Sequence, residues 1–238
     1  MQAYLNQLGT LLLDRNLRRA DENSDVRRLA RGRTLVVFDA ISAFRQVRAL
    51  RFLYEANLIQ ATPDEQLVIS LDNTSLPDIE LPGRAFLRGA HLQQANLSGA
   101  NLDHADLSNT YLPRAELQDT NLEGANLEGA NLEGAFLNGA NISEAHLVDA
   151  DLSRAEKNRS ERGANLTNAN LSGANLKGAN LKDAKVTEEQ LAECESLQGA
   201  TMPDGQILKS DDNPDGQTFE EWLKSKDRGG NGENGSQS

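Results

Sequence analysis

The stretch Ala125-Asn126-Leu127-Glu128-Gly129-Ala130-Asn131-Leu132-Glu133-Gly134 speaks one five-residue phrase twice, and that phrase governs the middle of the chain. An apolar residue stands at every fifth position from 87 to 152: Leu87, Leu92, Leu97, Leu102, Leu107, Leu112, Leu117, Leu122, Leu127, Leu132, Leu137, Ile142, Leu147 and Leu152. Two residues before each lies Ala, except at Thr110 and Thr120, and the residue between is usually Asn or Asp. A helix turns once in 3.6 residues, so one Leu in five would precess around its surface and never form a stripe. Side chains two apart share a face of an extended chain. Each phrase therefore reads as a very short strand, Ala and Leu inward and a polar residue outward, followed by a two-residue corner. Glycines such as Gly124 and Gly129 supply the positive φ of a type II corner. Corners every five residues wind the chain into a narrow coil with Leu on its axis. Parallel stacking of the coils then satisfies the backbone groups of each turn with those of the next. The fold class is β, a solenoid whose repeats touch only their neighbours.

The phrase Ala-(Asn/Asp)-Leu-x-x resembles the repeat of the pentapeptide-repeat family over about residues 69–199. The resemblance implies a right-handed quadrilateral parallel β-helix, square in section, with four phrases per coil. At twenty residues per coil, Asn101, Asn121 and Asn141 stack in one outward column, a hydrogen-bonding ladder. Asp103 then lies beneath Glu123 at about 4.8 Å strand spacing, and His91, Tyr111 and Asn131 form another column. Each fully buried Leu contributes about 1.5–3 kcal/mol, which explains how a chain with 4% aromatic residues holds a fold.

Working outward, the rhythm begins near Val68, with Leu71, Leu76 and Leu81 five apart, then slips by one residue around Pro82-Gly83. It breaks again after Leu152. Leu166 is fourteen residues on, one short of three phrases, and Lys157 falls where an inward Leu is due. A Lys on that apolar axis is physically untenable. The spacing predicts a single face step plus a nine-residue loop, about 155–163, from which Lys157, Arg159 and Arg162 project; a decayed repeat without consequence is the plainer reading. Regularity resumes at Leu166, Leu171, Leu176 and Leu181. Thr187-Glu188-Glu189-Gln190 then forms a capping box for a short helix expected to cover the C-terminal edge of the solenoid. Residues 200–238 read as an extended, mostly disordered acidic and polar tail, with a turn at Met202-Pro203-Asp204-Gly205 and a short helix beginning near Thr218.

Residues 1–60 read as helical. Tyr4, Leu5, Leu8, Leu11 and Leu12 recur at helical spacing; a second helix, with Val26, Leu29 and Leu35, starts at the N-cap Ser24; a third runs near 46–56 and stops at Asn57. This segment should cap the unpaired edge of the first coil, giving three parts: 1–60, 61–199 and 200–238. Arg27, Arg28, Arg31 and Arg33 cluster on the second helix, as a solvated face, a contact with the acidic rod, or a surface for nucleic acid or anionic lipid.

Chemistry for catalysis is sparse. His91, His104 and His146 fall on different faces or distant coils, too far apart to share a metal. The many carboxylates point into water from a convex rod, and a filled coil has no cleft. No enzyme, cofactor or metal is expected. The single cysteine, Cys194, allows no internal disulfide and suits a reducing compartment. The start of the chain shows no signal-peptide pattern, and the longest apolar runs are too short for a bilayer, so a cytoplasmic protein without a membrane segment is expected. What remains is an interaction scaffold for an unknown protein partner. Its candidate surface is Lys157, Arg159, Arg162, Asp103, Glu123 and Tyr111; a homodimer stays open and direct nucleic-acid binding is not expected. The resemblance also implies an alternative, because the quinolone-resistance members of the family are acidic rods that mimic DNA and bind gyrase. Residues 69–199 carry twenty acidic against ten basic side chains, within a chain of net charge −12.

Overall fold

The structure, a computed structural model, describes residues 6, 17, 20–21, 24–60, 67–81, 87–154 and 163–230. Four helices stand among them: α1 Asp25–Ala40, α2 Ala43–Glu55, α3 Glu188–Ala192 and α4 Phe219–Gly230. Between α2 and α3 the chain is a stack of coils joined by parallel pairs of single residues, each flanked by turns. Partners lie twenty residues apart through the clean block, as in His91–Tyr111, Asn96–Glu116, Asn101–Asn121 and Asp106–Asn126, so four phrases close one coil. The pairing distance widens to 21 at Ser75–Asn96, where one extra residue is accommodated. It widens to 29 at Phe136–Asn165 and returns to 20 at Asn165–Lys185. Nine residues beyond one coil therefore lie between Asp151 and Asn165; positions 155–162 fall outside the described residues.

The hydrogen bonds show why the phrase has these residues in this order. In the phrase 125–129, Ala125 N–H donates to Leu122 O (3.0 Å) to close the corner. Asn126 N–H donates to Ala105 O one coil earlier (2.9 Å), while Leu127 and Gly129 N–H donate to His146 O (2.7 Å) and Val148 O (2.9 Å) one coil later. The fifth donor, Glu128 N–H, would be left facing solvent, and Asn126 Oδ1 accepts from it at 3.1 Å. All five N–H groups of the phrase are thus bonded, which is the physical reason Asn or Asp recurs beside Leu. Tyr111 cannot make that side-chain bond, and the residue that would need it is Pro113, which has no N–H.

Corner residues carry positive φ whether or not they are glycine: His104 (52°), Asp119 (55°) and Asp149 (55°) alternate along the stack with Gly124 (59°), Gly139 (73°) and Gly178 (68°). The alternation is steric as well as conformational. A Cβ at Gly139 would run into Asp119 Oδ1, and one at Gly124 into His104 Nδ1, because each polar corner side chain leans over the glycine of the next coil. On the axis, all eighteen Leu and Ile residues from Leu87 to Leu181 named above are at most 2% exposed. The two Thr residues in Ala slots are buried with their hydroxyls bonded, Thr110 to Leu107 O and Thr120 to Leu97 O (2.9 Å).

The helices at the start pack on the first coil. Ser24 caps α1 through its bond from Arg27 N–H (3.4 Å), and α2 begins three residues before the sequence spacing suggests and ends at Glu55, with Asn57 (φ 51°) just past its cap Ala56. Gln46, buried on α2, donates to Phe38 O (2.8 Å) and to Ser75 O (3.1 Å), tying both helices to the first coil. The apolar spacing on α1 misleads. Its buried side is Arg27, Ala30, Thr34 and Phe38, while Leu29 is exposed. Arg27 turns inward because its Nη1 reaches Leu67 O at 2.8 Å, so part of the basic cluster is a structural clamp. The expected helix around Tyr4, Leu5, Leu8, Leu11 and Leu12 lies outside the described residues.

Two expectations for the C-terminal end are corrected. The capping box of α3 forms, Thr187 Oγ1 accepting from Gln190 N–H (3.2 Å) and Gln190 Oε1 from Thr187 N–H (3.0 Å). The helix does not close the solenoid, however. It stands in for one phrase, and the coil continues past it, since Asn175 pairs with Ser196 and Asn180 with Thr201. Gln190 Nε2 donates to Leu166 O and Ala169 O, both at 2.7 Å, in place of the missing strand. Residues 201–226 hold the expected helix near Thr218 but are not an extended tail: Thr201 pairs antiparallel with Ile207, Leu208 pairs in parallel with Gln217, and α4 buries Trp222 against the last coil. Sequence periodicity is blind to this closure because none of it repeats.

Candidate interaction surface

The coil places Asp103 and Glu123 on one face and Tyr111 on the opposite one. Asp103 and Glu123 follow the inward Leu of one face, beside a ladder in which Asn121 Nδ2 donates to Asn101 Oδ1 (3.1 Å), Asn141 Nδ2 to Asn121 Oδ1 (3.2 Å) and Asn170 Nδ2 to Asn141 Oδ1 (3.2 Å). The ladder thus runs through the nine-residue break without interruption. The like charges of Asp103 and Glu123 are turned apart. Asp103 Oδ1 lies 3.5 Å from His104 Nε2, and Glu123 Oε2 accepts from Asn141 Nδ2 at 3.2 Å. Tyr111 sits ten residues from Asn101 in sequence, half a coil, and so on the opposite face. There its ring lies 5.1 Å from His91, and Asn131 follows in the same column. One partner footprint on a single face therefore takes Asp103 with Glu123, or Tyr111, but not all three.

Lys157, Arg159 and Arg162 lie outside the described residues. The last described residue before them, Arg154, is held by Asp183 one coil on, at 3.6 Å. On the face next around the coil Phe136 is 44% exposed, directly below Asn165.

Two features went unread at the sequence level, the seat of Trp222 and a groove beside α4. Trp222 Nε1 donates to Asp204 Oδ2 (3.0 Å), Lys226 Nζ meets the same oxygen at 2.7 Å and lies 5.1 Å from the Trp222 ring centroid, and Phe219 stacks on Trp222 at 5.7 Å. Burial pushes the Asp204 carboxyl up, but the bonds from Lys226, Gln206 N–H and Trp222, with the Lys226 charge, hold it below the ordinary carboxylate value. The lone tryptophan in a stretch otherwise polar was the one signal available. Cys194 is mostly buried and its thiol is pushed up to about 12, first by that burial and then by Glu193, which suits a structural residue. Finally, an open groove of about 530 Å³ runs between Lys209, Pro214 and α4, with Glu221 and Lys224 on its wall. Glu221 is engaged as a helix cap, accepting from Thr218 N–H at 2.8 Å, a bond that lowers its carboxyl. Among the described residues, no cluster of His, Cys, Asp or Glu is placed to hold a metal, and no helix is long and apolar enough to cross a membrane.

A family model described as pentapeptide repeats matches residues 84–119, 120–156 and 162–188, in eight copies. Solved structures similar to this chain include a pentapeptide repeat protein from the Arabidopsis thaliana thylakoid lumen, 27% identical, covering 48% of this chain and 81% of that one, with a TM-score of 0.30. Another comes from Nostoc Pcc 7120, 26% identical over 62% of this chain and 93% of its own, with a TM-score of 0.25. A third is QnrB1, a plasmid-mediated fluoroquinolone resistance protein, 17% identical over 68% and 87%, with a TM-score of 0.37. At these TM-scores the superpositions decide nothing, and the kinship rests on the repeats. None of the curated proteins matches the chain.

Proposed function

Because this chain belongs to the pentapeptide-repeat family through residues 84–188, we propose that it is a non-catalytic scaffold whose acidic solenoid faces bind a protein partner. The observation that carries this reading is the filled axis. Leu and Ala of the described phrases are buried and most of their N–H groups are bonded within the stack, so the rod offers partners its outward columns. A rigid column of side chains at fixed spacing costs little entropy to bind. The Asn ladder flanked by Asp103 and Glu123 is the most regular column, and we assign it as the contact face.

The test is affinity capture with the whole chain, read by mass spectrometry, beside Asp103→Lys/Glu123→Lys and Tyr111→Ala. A reproducible partner lost with the charge reversal and kept by Tyr111→Ala supports the assignment. A partner that both variants retain moves the contact off these faces. Acidity supports a second reading, a DNA-mimicking modulator of a type II topoisomerase (gyrase). Against it stands the C-terminal end, which α4 and Trp222 close, leaving no open coil edge there for end-to-end pairing into a longer rod. Inhibition of gyrase supercoiling by the purified chain, abolished by Asp103→Lys/Glu123→Lys, would favour this reading over the first.

A further inference from the structure

The N-terminal cap has an outer side unlike anything on the repeats. α1 and α2 bury Arg27, Ala30, Thr34 and Phe38, and Gln46, Ala49, Leu50 and Leu53, toward the first coil. On the outer side of α1, Leu29, Arg33 and Val36 follow at i, i+4 and i+7, one side of a helix; all three are exposed, Val36 by 69%. On α2, Phe44 and Arg48 share a side in the same way, and Phe44 is 73% exposed. Three of the five large exposed apolar side chains among the described residues thus belong to this cap.

Its charge is also opposite to that of the rod. Residues 24–60 contain seven arginines and three carboxylates, in a chain of net charge −12. Arg28 pairs with Asp25, Arg51 with Glu55 (2.8 Å), Arg31 approaches Asp72 (4.0 Å), and Arg27 is turned inward. Arg33, Arg45 and Arg48 remain exposed, with no carboxylate partner among the described residues.

We infer that the outer side of α1 and α2 docks on an anionic lipid surface and holds the solenoid end-on to it. Interleaved arginines and exposed Leu, Val and Phe are the chemistry of a helix lying in the headgroup region, with cations on phosphates and apolar side chains just below. A nucleic-acid backbone would take the arginines but leave Leu29, Val36 and Phe44 nothing to bury against. A two-fold contact with a second copy would set the arginines against one another. The acidic repeats would be repelled from the same surface side-on. Because the cap sits at the N-terminal end of the stack, end-on docking carries successive coils away, and a screening length of about 8 Å removes the repulsion within a few coils. The inference concerns a different surface from the contact face assigned above and stands or falls separately.

The test is cosedimentation of the full chain with vesicles of phosphatidylcholine alone and of phosphatidylcholine with phosphatidylglycerol. The chain should partition onto the mixed vesicles only, with binding that falls as salt rises. Arg33→Glu/Arg45→Glu/Arg48→Glu should weaken it by about 100-fold or more, and Phe44→Ser by about tenfold, with unchanged melting. No binding to mixed vesicles at low salt, or equal binding by the triple variant, overturns the inference. Phe44→Trp gives a direct reading beside the constant signal of buried Trp222. Its emission should start as that of exposed indole and shift blue on mixed vesicles. An emission already blue without lipid means the chain's own N-terminal residues cover the face, and the inference fails. Duplex oligonucleotide binding that needs the arginines and ignores Phe44→Ser would overturn it in favour of nucleic acid.

Discussion

The repeat block 87–152 and the closure 187–226 hold together by different means. In the block, one five-residue rule fills the axis, turns the corner and bonds most of the backbone, with exceptions such as Tyr111 before Pro113. In the closure, each group is satisfied once, by a side chain found nowhere else: Gln190 on two carbonyls, Asp204 on Trp222 and Lys226. A repeat spreads its stability over many equivalent contacts, whereas an end concentrates it in a few residues.

The largest effect should come from breaking the rule on the axis. Leu127→Lys sets a charge among side chains that are at most 1% exposed nearby, and should cost about 4–5 kcal/mol or more, enough to unfold or aggregate the chain. A circular-dichroism melt like that of the wild type would show that Leu127 does not face the axis. Next comes the end. Gln190→Ala removes a capping-box partner and strands two carbonyls, so a loss of about 2–3 kcal/mol is expected in urea unfolding. A loss below that of an exposed substitution would mean that water replaces the glutamine, and the contrast between block and end would dissolve.

Smaller, and diagnostic of the stack, is Gly139→Ala. Positive φ and the overlying Asp119 both oppose a methyl group, and the cost should be about 1–2 kcal/mol. In an Asp119→Gly background the steric part vanishes, so Gly139→Ala should cost less there; equal costs would leave backbone strain as the whole effect. Asn126→Lys keeps the charge in water, but loses the bond from Glu128 N–H to Asn126 Oδ1. It should cost about 0.5–1 kcal/mol, more than a featureless surface change and far less than Leu127→Lys.

These sites also mark how far the sequence could be read. Period five announced the coil, the axis residues and the Asn ladder, because a repeated rule leaves a repeated trace. The nine-residue shift between Asp151 and Asn165 followed from the same counting. Counting did not show that Asn126 binds Glu128 N–H or that Asp119 overhangs Gly139, since those need atoms rather than periods. It failed at both ends. On α1 the apolar residues Val26, Leu29 and Leu35 suggested a buried side, yet Leu29 is exposed and Arg27 and Thr34 are buried instead, because the long guanidinium can reach Leu67 O while its stem packs. At the C-terminus the helix near Thr218 was legible, but a polar composition suggested a mostly disordered tail around it, where Trp222, Asp204 and Lys226 seat α4. Of the proposed contact residues, Asp103 and Glu123 share a face, while Tyr111 requires half a coil of rotation that only the four-phrase geometry supplies.

That C-terminal seat provides the gentlest way to separate end from block. Asp204 is held below the ordinary carboxylate value by Lys226, Gln206 N–H and Trp222 against the upward push of burial, so its charged form is favoured in the folded chain. A group with a depressed folded value contributes fully above its unfolded value, about 3.9 for Asp, and loses the contribution as pH falls through the lower folded value. Acid titration should therefore leave the seat intact at neutral pH and loosen it only below about pH 4. Trp222 fluorescence should move toward that of exposed indole in this window, while far-ultraviolet circular dichroism of the coils changes little. Asp204→Asn should abolish the pH step by keeping a neutral acceptor for Trp222 while giving up the Lys226 charge pair. Because the Lys226–Asp204 pair is partly exposed to water, the shift in overall melting temperature should be small. If fluorescence and circular dichroism instead moved together at the same pH, the end and the block would unfold as one unit, and the division drawn between them would be one of chemistry alone.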